Sequence, residues 1–134
     1  MKIDGQCHCG RVRYTATVDP NNASICHCTD CQAISGSAFR TTIRLPDSDL
    51  EMTGETKTYM KIAASGTERI LVFCPNCGTQ MLGMSAGDRP KRISLRLGTS
   101  NQRAELSPQR QIWCNSAMPW IEGLAGVPKS LEQD

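Results

Sequence analysis

The chain has 134 residues, eight of which are cysteine, and aromatic residues amount to only 4%. A net charge of +2 is too small to indicate a nucleic-acid-binding protein, and no segment approaches the roughly 18 apolar residues of a membrane span. The N-terminus lacks the apolar run of a signal peptide, so we expect a cytoplasmic protein whose cysteines are metal ligands or reactive thiols rather than disulfides. This length predicts a single domain, residues 1–134, with 122–134 as a loosely packed tail.

Short segments of alternating polarity, separated by turn-forming residues, predict strands along most of the chain. The alternating segments are 11–18, followed by a turn at 19–22, then 39–45, 93–97 and 112–114, and residues 70–73 form a compact apolar run that also predicts a strand. Only residues 29–34 have a helical pattern. With so few aromatic residues, the core must consist of Val, Ile, Leu and Met. We therefore predict a mainly β domain of seven to nine short strands, with its cysteines in loops.

Seven of the eight cysteines fall into three groups with the spacing of metal ligands. The groups are Cys7-His8-Cys9, Cys26-His27-Cys28-x-x-Cys31 and Cys74-x-x-Cys77-Gly78. A CxxC turn brings two thiolates to one ion at a Zn–S distance of about 2.3 Å. In an extended CxC segment both sulfurs lie on one face and the intervening histidine lies on the other. We therefore expect neither His8 nor His27 to bind the same ion as its neighbours.

The three groups can be combined in two ways. In the preferred grouping, Cys26, Cys28 and Cys31 hold one zinc ion with an open fourth position, and four thiolates close a second, structural zinc site. Those four ligands are Cys7, Cys9, Cys74 and Cys77. The alternative is a zinc ribbon that joins the pairs 28/31 and 74/77, which leaves three cysteines without a role. All-sulfur ligation favours zinc, with iron in a rubredoxin-like site as its rival.

Cys114 is the one cysteine outside these groups. A buried apolar side chain is the expected role for such a cysteine, and a fourth ligand to the open site is the alternative.

The cysteine groups and their flanking residues resemble the glutathione-dependent formaldehyde-activating enzyme (GFA) family, also called the centromere protein V family. The matching segments, in family order, are GQCHCGRVRY from Gly5, CHCTDCQAISGSAF from Cys26, FCPNCGTQM from Phe73 and the pair Pro119-Trp120. The resemblance implies several short, coiled antiparallel sheets and two zinc ions. It assigns the same four cysteines to a structural site, and Cys26, Cys28 and Cys31 to a catalytic one. It also implies the addition of glutathione to formaldehyde, which in reverse is a carbon–sulfur lyase reaction.

The resemblance weakens toward the C-terminus. Gln111 replaces a histidine of the family pattern, Ala117 a basic residue and Met118 an alanine. If these positions contact glutathione, the protein uses another thiol or adduct.

We hypothesise that the open zinc position binds a substrate thiol, glutathione or a similar molecule, as a thiolate that adds to a small aldehyde. Ser35 and Ser37 are candidate hydrogen-bond donors to the adduct, and a plain tight turn around Gly36 is the alternative. His27 is either a proton shuttle or a hydrogen-bonded structural histidine. The competing function is a non-catalytic zinc-stapled binding module for protein or nucleic acid; nucleic acid is not expected, because no aromatic residues interleave the basic segment.

That basic segment spans residues 89–110 and contains six basic residues but only one acid, Glu105. Arg92 and Arg96 lie on one face of the predicted strand and offer a site for carboxylates or phosphates, with a solvated strand face as the favoured alternative. Trp113 and Trp120 are expected to anchor the core rather than to floor a substrate pocket.

Overall fold

Ten strands and one short α-helix form the regular structure of residues 1–133, the part of the chain described by a computed structural model. The strands are β1 (Lys2–Gln6), β2 (Arg13–Thr17), β3 (Ala23–Cys26), β4 (Arg40–Pro46), β5 (Leu50–Thr53), β6 (Lys57–Ile62), β7 (Glu68–Phe73), β8 (Gln80–Ser85), β9 (Arg92–Arg96) and β10 (Arg110–Ile112), and the helix is α1 (Thr29–Ser35). Short 3-10 turns, the longest at Ile121–Gly126, connect or follow them. The predicted mainly β fold is confirmed.

The strands form two sheets. The smaller sheet has the order β1-β2-β5, and the larger has the order β10-β3-β4-β9-β8-β7-β6. Every pairing is antiparallel except that of β10 with β3. Strands far apart in sequence are therefore neighbours in the larger sheet, where β4 pairs with β9 and β3 with β10.

The two faces of the larger sheet differ in chemistry. Ile43 and Leu45 of β4 and Ile93 and Leu95 of β9 belong to the buried core, which also contains Tyr14 from the smaller sheet. Because successive side chains of a strand point to opposite faces, Arg40 and Arg44 of β4 and the alternate residues of β9 lie on the other face. The core consists mainly of aliphatic side chains, as the composition predicts, and the opposite face is strongly basic.

Predicted elements agree with the structure where a segment has its own pattern. The alternating segment 11–18 contains β2, the segment 70–73 lies in β7, and residues 29–34 lie in α1. The prediction fails at 112–114, where β10 ends at Ile112 and Trp113 has a positive φ of 57°. Five further strands, β1, β3, β5, β6 and β8, have no clear alternation in the sequence.

Residues 122–133 are all exposed, and the first five of them belong to the 3-10 turn at Ile121–Gly126. None of the helices in the described residues is long and apolar enough to cross a membrane.

Candidate active site

The first cysteine cluster joins the loop after β1 to the turn after β7. The sulfurs of Cys7, Cys9, Cys74 and Cys77 all lie within 4.8 Å of one another. The Sγ atoms of Cys7 and Cys9 are 3.6 Å apart, and those of Cys9 and Cys74 are 3.7 Å apart. The edge of a sulfur tetrahedron around zinc is about 3.8 Å, from a Zn–S distance near 2.3 Å. The cluster thus has the donor set and dimensions of a closed tetrathiolate zinc site.

Local structure fixes these thiols before any ion binds. The backbone amide of Val12 donates a hydrogen bond to the Cys7 sulfur at 3.2 Å. In the CxxC turn, the amide of Gly78 donates to the Cys74 carbonyl, and Gly78 has a φ of 77°, a conformation that favours glycine. The Thr79 hydroxyl lies 3.2 Å from the Cys77 sulfur, and this contact, with backbone amides, lowers the pKa of that thiol to about 5. A low pKa keeps the thiolate, the form that binds metal, available.

The second cluster comprises Cys26 at the end of β3, Cys28 at the N-cap of α1, and Cys31 in its first turn. Their sulfurs also lie within 4.8 Å of one another, and no other His, Cys, Asp or Glu of residues 1–133 joins them. The Sγ atoms of Cys28 and Cys31 are 2.9 Å apart, closer than the tetrahedron edge, so this pair must separate slightly to hold zinc. The structure therefore brings together the two groups that the preferred grouping predicts.

The thiols of the second cluster differ in acidity. A hydrogen bond from Cys31 lowers the pKa of the Cys26 thiol to about 5, and the charge of Arg40 contributes in the same direction. The same contact, followed by burial, raises the pKa of Cys31. One sulfur thus carries the negative charge while its neighbour keeps its proton, as expected for thiols that converge without a cation between them.

A cavity of about 700 Å³ opens beside the second cluster. Its lining includes all three cysteines of that cluster and Trp113. It also includes five basic side chains, namely Arg40, Arg44, Lys61, Arg69 and Arg92. Asp30 is the single acidic residue in the lining, and its carboxylate pairs with the Lys61 ammonium at 3.0 Å. The cavity is therefore strongly cationic and lies directly against the three thiols.

Sequence reasoning located only part of this basic surface. Arg96 is buried, so the favoured alternative of a solvated strand face is wrong for that residue, whereas Arg92 is exposed, as that alternative expects, and also lines the cavity. Arg40, Arg44 and Arg69 were missed, because they belong to β4 and β7. For the two arginines of β4, the sequence does contain a signal. Residues 40, 42 and 44 of that strand are basic or polar and share one face, opposite its apolar positions.

The histidines lie apart from both clusters, as predicted. His27 is buried, its Nε2–H donates to the Gln111 Oε1 at 2.6 Å, and its ring contacts the edge of Phe39 at 5.5 Å. His27 does not line the cavity, which favours the structural interpretation over the proton shuttle. His8 is exposed, and its backbone amide donates to Thr79.

Ser35 and Ser37 are exposed and do not line the cavity. Ser35 donates to the Gln32 carbonyl at 3.5 Å, and Gly36 ends α1 in the left-handed conformation. This geometry is that of the tight turn, the alternative to a role in adduct binding.

The predictions for Cys114, Trp113 and Trp120 do not agree with the structure. Cys114 is exposed and joins neither cluster, so both the buried and the fourth-ligand predictions are wrong. Trp113 and Trp120 are each 54% exposed rather than core anchors, and Trp113 lines the cavity. β10 ends at Ile112, and the next residue, Trp113, has a positive φ of 57°, so the strand pattern that would bury alternate side chains does not continue past this point.

The departures from the family pattern do not reach the cavity. Gln111 bonds to His27 instead, and neither Ala117 nor Met118 is a lining residue. These substitutions therefore do not by themselves argue against glutathione.

Fold and site define a mainly β domain with two cysteine clusters suited to a soft metal, one of them facing a cationic cavity. The family model described as glutathione-dependent formaldehyde-activating enzyme matches residues 2–116, and the chain belongs to that family. The crystal structure of a Rhodobacter sphaeroides protein is similar, with a TM-score of 0.61 and 18% sequence identity. The match covers 81% of this chain and 98% of that chain, and this likeness supports the fold. No curated protein matched the sequence.

Proposed function

We propose that the protein is a zinc-dependent carbon–sulfur lyase, similar to S-(hydroxymethyl)glutathione synthase, that reversibly adds glutathione or a similar thiol to formaldehyde or another small aldehyde. One observation carries this proposal. Three thiols converge beside a large cavity, and no fourth ligand from residues 1–133 completes their set. An incomplete ligand set that faces a cavity is typical of a catalytic metal site, whereas a closed set is typical of a structural one.

The two clusters then have different roles. Cys7, Cys9, Cys74 and Cys77 would hold a structural zinc ion that ties β1 to the turn after β7. Cys26, Cys28 and Cys31 would hold the second zinc ion, which, when bound, supplies an electropositive position that keeps the substrate sulfur as a thiolate near neutral pH. Eight unpaired cysteines also suit the reducing cytoplasm, where we place the protein.

Arg44, Arg92 and Lys61 are suited to orient the thiol. Glutathione carries two carboxylates, and Arg binds a carboxylate through two parallel hydrogen bonds. Arg44 lies four residues along β4 from Arg40, which is roughly 13 Å at the rise of an antiparallel strand. Charges at this distance fit a ligand whose sulfur reaches the cysteines while its carboxylates remain at the far end of the cavity.

The reaction itself needs little from the side chains. The substrate sulfur forms a bond to the carbonyl carbon, the C=O π bond breaks, and the oxygen takes the proton that the thiol released. Thiol and aldehyde held together in the cavity react as one complex rather than by collision. Thr29 and Asn115 line the cavity and can donate hydrogen bonds to the adduct oxygen, whereas Ser35 and Ser37 are not lining residues.

The test compares Cys28→Ala with Cys114→Ala. Cys28 belongs to the three-thiol cluster, whereas Cys114 is an exposed cysteine outside both clusters and serves as the matched control. We expect Cys28→Ala to lose one of two zinc ions and the glutathione-dependent consumption of formaldehyde, and Cys114→Ala to keep both. Activity that survives in Cys28→Ala after this ion is lost would contradict the mechanism.

A cobalt-substituted sample provides a second measurement. Titration with glutathione should change the sulfur-to-cobalt absorption if the thiol enters an open position. An unchanged spectrum at millimolar glutathione would instead favour a non-catalytic, fully structural role.

A further inference from the structure

Two arginines, Arg69 and Arg96, converge on one point of the larger sheet, and a third, Arg40 of β4, is near enough to act electrostatically on both. We call Arg40, Arg69 and Arg96 the arginine cluster. The Nη2 atoms of Arg96 and Arg69 lie 3.4 and 3.8 Å from the point where a Gly83 Cβ would be. Gly83 has no side chain, so its position leaves room for both guanidinium groups on this face of the sheet.

The arginine cluster has no acidic partner. The two ion pairs formed by the described side chains are Lys61–Asp30 and Arg89–Asp47, and neither includes a member of the cluster. Burial, reinforced by repulsion from Arg40 and Arg69, lowers the pKa of Arg96 below its ordinary value. Three thiolates on one divalent ion leave a single negative charge, which balances at most one of three guanidinium groups.

Several donors of the cluster are buried without an acceptor. Arg96 is 6% exposed, and neither its Nε nor its Nη2 has a hydrogen-bond partner within residues 1–133. The Nε of Arg40 is buried and unpaired as well. Unpaired buried donors are costly, so such groups are retained where a ligand satisfies them. Arg40 and Arg69 line the cavity, which gives an anion access to the cluster.

The place of the arginine cluster in the cavity indicates which substrate would supply an anionic group to it. Arg40 lies opposite Cys26 in the register of β4 and β3, and both Cys26 and Cys31 are near enough to Arg96 to interact with it electrostatically. The cluster is therefore at the end of the cavity where sulfur and aldehyde meet. In glutathione several bonds separate the sulfur from each carboxylate, and Arg44 and Arg92 remain available for those groups. Formaldehyde has no charge and gives the cluster nothing to bind.

We propose, as an extension of the proposed function, that the aldehyde substrate is itself an anion: a small oxo acid of the glyoxylate type, whose carboxylate binds the arginine cluster. The thiolate sulfur forms a bond to the aldehyde carbon, the C=O π bond breaks, and the oxygen takes one proton. The product is the thiohemiacetal RS–CH(OH)–COO⁻, and no oxidant or reductant is required. A carboxylate attached directly to the reacting carbon holds that carbon beside the three thiols.

The experiment compares three aldehydes with glutathione as the fixed thiol. Glyoxylate carries the carboxylate, glycolaldehyde is a neutral aldehyde of similar size, and formaldehyde reports on the proposed function without any charge. The catalysed rate of exchange between free aldehyde and adduct is measured by NMR above the uncatalysed rate. We expect kcat/KM for glyoxylate to exceed that for glycolaldehyde by about tenfold or more, the scale of a lost charge-assisted contact.

The variants are Arg69→Gln and Arg96→Gln, with Arg110→Gln as the matched control. Arg110 lies on the same sheet, and its charge acts on Arg44, but it does not line the cavity beside the cysteines. Arg69→Gln should remove the preference for glyoxylate over glycolaldehyde, while Arg110→Gln keeps both that preference and the formaldehyde turnover of the unmodified protein. Arg96→Gln should act in the same way, and Arg69→Gln, at a partly exposed position, remains informative if the buried substitution prevents folding.

Equal kcat/KM values for glyoxylate and glycolaldehyde in the unmodified protein would overturn the inference, as would a preference that persists in Arg69→Gln. If neither formaldehyde nor glyoxylate reacts, the proposed function fails, and calorimetric titration with glycolate, an unreactive hydroxy acid, decides the carboxylate site alone. Glycolate binding that is lost in Arg69→Gln but kept in Arg110→Gln supports that site. No binding to the unmodified protein refutes it.

Discussion

Cys9→Ala isolates the contribution of the four-thiol cluster to stability. Cys9 is the exposed member of the cluster, so its replacement removes a ligand with little loss of packing, unlike Cys7 or Cys74 in the core. Structural zinc sites contribute roughly 10–16 kcal/mol of apparent binding free energy, which is about 2.5–4 kcal/mol for each of four thiolates if shared evenly. At roughly 4 °C per kcal/mol for a domain of this size, we expect Tm to fall by about 10–15 °C.

The assay is thermal unfolding followed by circular dichroism, together with the zinc content of the folded sample. Cys114→Ala is the control, because Cys114 is equally exposed but lies outside both clusters and should change stability by no more than about 0.5 kcal/mol. The reasoning is refuted if Cys9→Ala melts at the same temperature as Cys114→Ala. It is also refuted if the zinc content of Cys9→Ala is unchanged.

Two further predictions concern the core and the surface. Ile43 is fully buried, so Ile43→Ala should lower the free energy of unfolding, measured with urea, by about 2–5 kcal/mol. Ile62 is 70% exposed, so Ile62→Ala should have little effect. Equal losses of stability in the two variants would contradict the assigned core. The Arg89 guanidinium holds the pKa of the Asp47 carboxyl below its ordinary value of 3.8, so their contact stabilises the fold above that pH and is lost as pH falls through the lowered pKa. Arg89→Gln should therefore raise the Asp47 pKa in an NMR titration, and an unchanged value would disprove the pairing.

The ligand groups were predictable because their geometry is local. A CxxC turn and a CxC strand each set the relation of two sulfurs within a few residues. Parsimony then joined Cys7 and Cys9 to Cys74 and Cys77, and the 3.7 Å distance between Cys9 and Cys74 agrees with that choice. The opposite orientation of His8 and His27 followed from the period of two in extended chain.

The exposure of individual side chains was less predictable from the sequence. Cys114 and Trp113 have residue types that are usually buried, yet both are exposed where β10 has ended and Trp113 has a positive φ. No neighbouring glycine signals this turn, because a tryptophan occupies the left-handed position itself. Ser35 and Ser37 are close to Cys31 in sequence, but both are exposed around the Gly36 cap that ends α1, and neither lines the cavity.

The sequence by itself determined the mainly β class, the three short cysteine groups and the aliphatic composition of the core, because each depends on composition or on the spacing of residues that are near in the chain. Only the tertiary structure decided the character of the cavity. Arg40, Arg69 and Arg96 come from β4, β7 and β9, and they meet because β4 pairs with β9 and β8 lies between β9 and β7. Strand order of this kind depends on non-local hydrogen bonding and on burial of one common apolar face, and no local pattern specifies it.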